Sequence, residues 1–429
     1  MTTGKRTSLW FGSTPPGWTL DKLGRWTSIG NGSTPSRERL EYWHGGTHPW
    51  LNSSVVNHAF VDGAEQFVTD QALRECHLPW VAAGALLVGL TGQGKTRGMT
   101  TQLRTPATIN QHLAHVTPDN RHWTSDYLLL LLQAAYSELR RVSDENGSTK
   151  GGLTCADLKA LLVPRPPLVE QVAIAALVHR ETEKIEALIS KQEQLIDRAQ
   201  ERKQALVDTL VWTGLNQAEL AATGIDPAPT APAHWGRARN RHLLRERTDL
   251  SSTGTEEMLS VSHITGVTPR SDKNVTMFEA ESTVGYRLVA SGDLVINTMW
   301  AWMGALGVSR HAGMVSPAYG VYTFHRKVDV RFFEYLYRSR SYVAEMTRYS
   351  RGIWSSRLRL YPASFLRLNV VVPPLEEQTL IADHLDDRLD KLDKLIQKTQ
   401  RFIELSKERR AALIAAAVTG QIDVRGDAA

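Results

Sequence analysis

Two stretches of the chain repeat apolar residues at helical spacing for much longer than a globular helix needs. After Pro166–Pro167 they recur at Ile185, Leu188, Ile189, Leu195, Ile196 and Leu206. After Pro373–Pro374 they recur at Leu385, Leu389, Leu392, Leu395, Ile396, Phe402, Ile403 and Leu413. An a/d/e pattern sustained over about 40 residues predicts two coiled-coil helices, each a rod of roughly 60 Å. Pro167 and Pro374 suit the first helical turn, where a missing N–H is harmless, and Glu170 and Glu376 suit the positive end of the dipole. Elsewhere the apolar runs GALLVGL, GDLVIN, NVVV and ALLVP predict strands. SDYLLLLLQAAYSELRRV and RFFEYLYRSRSYVAEM predict one helix each. Strands and helices do not alternate regularly, which argues against a doubly wound parallel sheet.

The pattern is written twice. RPPLVEQ ends at Gln171 and VPPLEEQ ends at Gln378, 207 residues further on. At that offset Ile174 meets Ile381, Ile185 meets Leu392, Leu188 meets Leu395, Leu195 meets Phe402 and Arg202 meets Arg409. Upstream, VAAGALLVGL resembles VASGDLVINT, TPPGW resembles APAHW, and KGGLTCADLKALLVPRPPL parallels RLRLYPASFLRLNVVVPPL. The expected class is α+β: two mixed α/β domains in tandem repeat, separated by two long helices forming an antiparallel coiled coil. The expected boundaries are 1–165 for the first domain, 166–215 for the first helix, 216–370 for the second domain and 371–429 for the second helix and tail. Residues 216–232 lead into the Pro/Ala-rich GIDPAPTAPAHW and are expected to connect the halves.

Bulk composition narrows this little. The 429 residues carry 50 Lys+Arg against 45 Asp+Glu, a net charge of +5 that permits nucleic-acid binding without requiring it. Two distant cysteines, Cys76 and Cys155, make neither a disulfide framework nor a metal centre and are expected to be buried. His44, His48 and His311 lack ligand spacing and read as structural or surface residues. The N-terminus has no apolar signal core, and the longest apolar runs, such as YLLLLL at 127–132, fall far short of a membrane span. A cytoplasmic protein that makes no membrane contact is expected.

One motif invites a rival reading. LLVGLTGQGKT contains Gly89-x-x-x-x-Gly94-Lys95-Thr96, the pattern of a P-loop. That would make the chain a nucleoside triphosphatase with a coiled-coil insert; a non-catalytic coiled-coil scaffold is the other alternative. A phosphate cradle needs a helix beginning at Lys-Thr. Gly98, three threonines and Pro106 follow instead, and predict strand and turn. No apolar strand ends in an Asp placed to help hold Mg²⁺. The corresponding loop of the second half, NTMWAWMGALGVSR, keeps Gly304 and Gly307 but has no Lys. The pattern is therefore read as a variable recognition loop.

The duplicated plan, the PPL-x-EQ opening of each helix, GQGKTRG…ATINQ in the first half and GDLVINTMWAWMGALGVS…VSPAYGVY in the second resemble the specificity (S) subunit of type I restriction–modification enzymes. The resemblance covers essentially the whole chain. It implies two target recognition domains, each reading one half of an asymmetric bipartite site in double-stranded DNA. It also implies a coiled coil that sets the gap, so that adding or removing one heptad would change it. The resemblance implies two methyltransferase (M) subunits and two restriction/translocase (R) subunits as partners. It places S-adenosylmethionine on M, and ATP and Mg on R, with no cofactor and no catalysis on this chain. The tetrapeptide Asn-Pro-Pro-Tyr/Phe of adenine methyltransferases has only VPPL as its nearest string. Donors and aromatics in loops give the candidate DNA contacts: Thr34, Arg37, Lys95, Arg97 and Lys150 in the first half, and Arg270, Trp300, Trp302, Arg310, Arg351 and Arg357 in the second. Asn110 and Gln111 of ATINQ are expected to hold the fold.

Overall fold

The computed structural model describes residues 10–92, 94–145, 152–225, 228–272, 282–352 and 358–422. Lys150 and Arg357 lie outside the described residues. The chain divides into two compact units. One comprises Met1–Lys191 with Phe402–Ala429; the other is Gln192–Arg401.

The two long helices are present as Leu168–Thr213 and Leu375–Val418. Pro167 and Pro374 stand just outside them, and their carbonyls accept from the Gln171 and Gln378 amides at 3.0 Å. Each proline closes the first helical hydrogen bond instead of occupying the first turn. In the first unit, Ile174 and Val178 of one helix share a buried cluster with Ile414 and Val418 of the other, and Glu186 pairs with Arg410 at 3.1 Å. The two segments therefore run antiparallel. In the second unit Val207 and Val211 share a core with Ile381 and Leu385, and Lys203 pairs with Asp393. These segments are antiparallel as well. Not every residue of the apolar pattern is covered: Leu188, Leu195, Leu395 and Phe402 remain 38–42% exposed. A two-helix seam is narrower than the apolar stripe on each helix.

The first unit carries a five-stranded sheet in the order Thr27–Asn31, Leu113–Pro118, Leu86–Gly89, Thr100–Leu103, Phe60–Val61. All neighbours are antiparallel except the last pair. The second unit repeats its centre with four antiparallel strands, Leu244–Glu246, Gly320–Phe324, Leu294–Ile296 and Leu306–Val308. The central strands are buried on both faces, which is why they read as unbroken apolar runs. Leu86 and Val88 join one cluster and Leu87 another; Leu294 and Ile296 join one and Val295 another. Each is preceded by a turn through a left-handed glycine, Gly84 at φ 89° and Gly292 at φ 92°. A smaller antiparallel ladder closes each unit beside its helix, Thr19–Lys22 on Leu162–Arg165 and Gly236–Arg239 on Asn369–Val372.

Three expectations change. Each expected single helix is two. Ser125–Ala134 and Tyr136–Glu145 meet at Ala135, where the i→i+4 bonds continue. Val330–Arg338 and Arg340–Tyr349 are separated by Ser339, whose extended backbone breaks the ladder while its hydroxyl caps the second helix at the Tyr342 amide. The expected connection after residue 216 is a hairpin, Leu220–Ile225 on Ala228–Pro232. Cys76 and Cys155 are half-buried, not buried. Among the described residues, no helix is long and apolar enough to cross a membrane.

Candidate nucleic-acid interface

The PPL-x-EQ motif ties each domain to its helix. The Trp18 indole donates to the Glu170 carboxylate at 2.8 Å, and the Trp235 indole donates to Glu377 at 2.9 Å. The next residue is a buried amide. The Gln171 oxygen accepts from the Thr124 backbone amide at 2.8 Å, while its nitrogen donates to the carbonyls of His122 and Pro166. Gln378 accepts from the Asp329 amide at 2.9 Å and donates to the Pro373 carbonyl. Thr124 and Asp329 are the N-caps of the equivalent helices that cover the sheets. Glu170, expected only to favour the helix dipole, therefore binds a specific donor, and in the second helix that role falls to Glu377 and not to the expected Glu376.

In the first unit the hairpin Leu86–Gly89/Thr100–Leu103 presents the Gly-rich loop. The Tyr136 hydroxyl donates to the Lys95 carbonyl at 3.0 Å, and the Arg140 guanidinium to the Gly94 carbonyl at 2.6 Å. The Lys95 side chain is left exposed. Arg97 is 6% exposed and ion-paired to Asp144 at 2.5 Å. It fastens the loop to the helix Tyr136–Glu145 from a buried position, not from the exposed one expected of a donor offered to DNA. The neighbouring loop is joined to the hairpin by surface hydrogen bonds. Thr34 donates to Gln111, Gln111 lies 3.3 Å from the His112 ring, and His112 lies 3.0 Å from the Thr91 hydroxyl. Arg37 donates to Gln66 and stacks 3.7 Å above the Trp43 ring, which fixes an exposed guanidinium in one orientation. Asn110 is buried and its side chain accepts from the His112 amide, so it holds the fold; Gln111 instead is exposed.

In the second unit the equivalent hairpin closes through the single turn Ala301–Met303. Trp300 is 50% exposed, and the Trp302 indole donates to the Met299 carbonyl at 3.1 Å. Trp302 and Arg310 line one cleft of about 1150 Å³, together with His263, His311, Arg340 and Lys203. Arg270 is half-buried beyond the strand Gly266–Pro269. Arg351 is exposed and pairs through its backbone with Arg359, away from the cleft lining. His263, Arg340 and Lys203 were not singled out in the sequence, because no local pattern marks residues that come from three separate segments, and His311 was read only as a structural or surface residue. Glu334, in the cleft lining, has its carboxyl pushed up by burial, opposed by Arg338 and Arg310.

The P-loop reading fails on geometry. The chain after Thr96 enters the strand Thr100–Leu103, not a helix, and the loop is pinned by donors reaching its carbonyls. Asp293 is also accounted for. It is buried in its turn, accepting from the Ala290 amide, the Thr323 hydroxyl and the Arg247 guanidinium.

The family model for the type I restriction modification DNA specificity domain matches residues 15–197. The chain is 23% identical over 163 residues to the type I restriction enzyme EcoR124I/EcoR124II specificity subunit of Escherichia coli, covering 38% of this chain and 39% of that protein. It is 28% identical over 170 residues to the MjaIX specificity subunit of Methanocaldococcus jannaschii, covering 39% of this chain and 38% of that one. The matches thus span about two fifths of the length of these relatives. A chain solved in work on complex assembly and conformational transition of the type I restriction–modification system shares the fold. Its TM-score is 0.72 at 15% identity, over 96% of this chain and 100% of that one. Residues 15–197 thus match the type I restriction modification DNA specificity domain, and the duplicated sheet and helix plan is a fold shared with that solved chain.

Proposed function

We propose that the chain is the DNA-reading subunit of a type I restriction–modification complex. Each unit's hairpin face reads one half of a bipartite site in double-stranded DNA, and the two long helices set the gap between the halves. Adenine methylation and ATP-dependent cleavage then belong to methyltransferase and restriction/translocase partners, which bring S-adenosylmethionine, ATP and Mg, and act on DNA in the cytoplasm. The observation that carries this reading is one scaffold built twice with different chemistry at the same loop: Lys95 over a pinned glycine loop in one unit, Trp300 and Trp302 in the other. Constant strands with variable exposed donors and aromatics suit recognition of base edges and phosphates. The exposed Leu188, Leu195, Leu395 and Phe402 give the helices apolar surface for protein partners.

Mapping genomic adenine methylation with and without the chain, in cells that make the methyltransferase partner, tests this. A bipartite motif that vanishes with the chain is the expected result. Unchanged methylation, or saturable ATP binding by the isolated chain that Lys95→Ala abolishes, overturns it.

A further inference from the structure

We propose that Trp18, Gln171, Trp235 and Gln378 are positioning residues: they fix the angle at which each recognition domain stands on its helix, and through that angle the gap the protein accepts. This rests on the reading above.

The argument starts from adjacency. Glu170 and Gln171 are consecutive on the first turn of the long helix, yet they hold separate parts of the domain. Glu170 takes the indole N–H of Trp18, immediately before the closing ladder that starts at Thr19. Gln171 takes the Thr124 amide at the start of the helix covering the sheet, and donates to the His122 carbonyl one turn away. The ladder itself ends at Arg165, just before Pro166. Ladder, indole and helix cap are three separate attachments at one end of the helix, and together they oppose rotation of the domain on its rod. Glu377 and Gln378 repeat it with Trp235, the Asp329 amide and the ladder Gly236–Arg239/Asn369–Val372.

The type of contact matters. Each glutamine accepts from a backbone N–H, so the cap residue is Thr in one domain and Asp in the other with the same bond formed. A clamp that reads backbone tolerates a domain whose sequence diverges, provided its helix begins in the same place. Gln171 and Gln378 are 0% and 2% exposed, so these bonds are formed away from competing water. On the DNA side, moving a half-site by one base pair displaces it by roughly 3.4 Å and rotates it by about 35°. A domain fixed in angle rejects that shift, and one that can swing on its helix accepts it.

The experiment uses the full chain co-expressed with its methyltransferase partner, with single-molecule methylome sequencing as readout. Wild type defines the two half-sites and the gap; absence of any bipartite motif would sink the functional reading itself, a separate failure. Gln171→Met and Gln378→Met keep volume and remove the bonds. Trp18→Phe and Trp235→Phe, which keep an aromatic ring but remove the indole N–H together with part of the bicycle, decide the matter where a Met variant does not fold. The expected result is unchanged half-site bases with discrimination against gaps one base pair longer or shorter reduced about tenfold, the worth of a buried hydrogen bond. A merely structural role would lower methylation at all sites alike and leave the gap distribution unchanged. That outcome overturns the proposal, and so does loss of base identity at either half-site.

Discussion

The segment joining Gly89 to Thr100 in the first unit and the one joining Ile296 to Leu306 in the second occupy the same place in the same hairpin, and they are held by different side-chain chemistry. The first is charged and tied from outside: Arg97 pairs with Asp144, and Tyr136 and Arg140 reach its carbonyls from the helix behind it. The second is uncharged and bonds mostly within itself, with outside support from the Thr347 hydroxyl on the Trp302 carbonyl and the Leu360 amide on the Thr298 carbonyl. The Trp300 amide bonds the Asn297 carbonyl, the Trp302 indole bonds Met299, and Gly304 at φ 80° ends the turn. The strands below are equivalent, and so are the Trp–Glu and Gln–amide bonds that attach each domain to its helix. What the contrast teaches is that the scaffold shared by the two units constrains where the loop begins and ends, and leaves the loop free to be stabilised by whatever it carries.

The sharpest break of the comparison is Trp300→Ala. Half of that ring is exposed, so its removal leaves stability within about 0.5 kcal/mol. As an aromatic anchor at a recognition surface it is expected to contribute about 2 kcal/mol, roughly thirtyfold in affinity for the target duplex. Fluorescence anisotropy with the mapped site measures it. Unchanged affinity would remove Trp300 from the reading surface.

The next test runs the other way. Arg97→Met keeps the aliphatic stem and removes the buried charge that binds Asp144. Because Asp144 is 64% exposed, the pair is only partly desolvated, and the expected cost is about 1–2 kcal/mol of stability in the first unit. Hydrogen exchange at the Leu86–Gly89 strand reads this directly. The slope of DNA affinity against salt should not change, since a buried strut neutralises no phosphate. A slope reduced by a full charge would restore Arg97 to the interface.

Much of this was legible from residues alone. The apolar stripes gave both long helices, and the double burial of Leu86–Gly89 and Leu294–Ile296 made their strands visible as unbroken runs. The offset of 207 between Gln171 and Gln378 exposed the duplication. The burial of Arg97 was not foreseen, because it depends on Asp144, 47 residues away, which no local pattern announces. The breaks at Ala135 and Ser339 were missed for a different reason. Apolar periodicity continues across them, so the pattern that marks a helix does not mark its interruption. The cleft of the second unit draws Lys203, His263, Arg310 and Arg340 from separate elements, and only the tertiary fold could assemble them.

Lys95→Ala should affect binding less than Trp300→Ala. The ammonium is exposed and, as a point charge, suits a phosphate better than a base. A roughly fivefold loss is expected, equal across DNA sequences, with the salt slope reduced by about 1. A loss confined to one base position would make Lys95 a base reader and bring the two loops closer in kind than their chemistry suggests.

The smallest effect lies under the loops. Five residues after its helix cap, the first unit has Leu129, 4% exposed. Five after the equivalent cap, the second has Glu334, which ion-pairs Arg338 at 3.6 Å and accepts the Val308 amide. Burial pushes this carboxyl above its ordinary value of 4.5, against the pull of Arg338 and Arg310. The folded state therefore holds the proton more tightly than the unfolded chain. Stability from this group is fully present below pH 4.5 and is lost as pH rises through the raised folded value. Glu334→Gln keeps the neutral shape, and the Arg338 guanidinium retains the His263 and Ile264 carbonyls. The variant should gain less than about 1 kcal/mol at pH 7 and nothing near pH 4. Parallel urea titrations at both pH values measure the difference. A variant less stable than wild type at pH 7 would show that the Glu334 charge is needed by the arginines beside it, and that the second unit departs from the first in its core as well as in its loop.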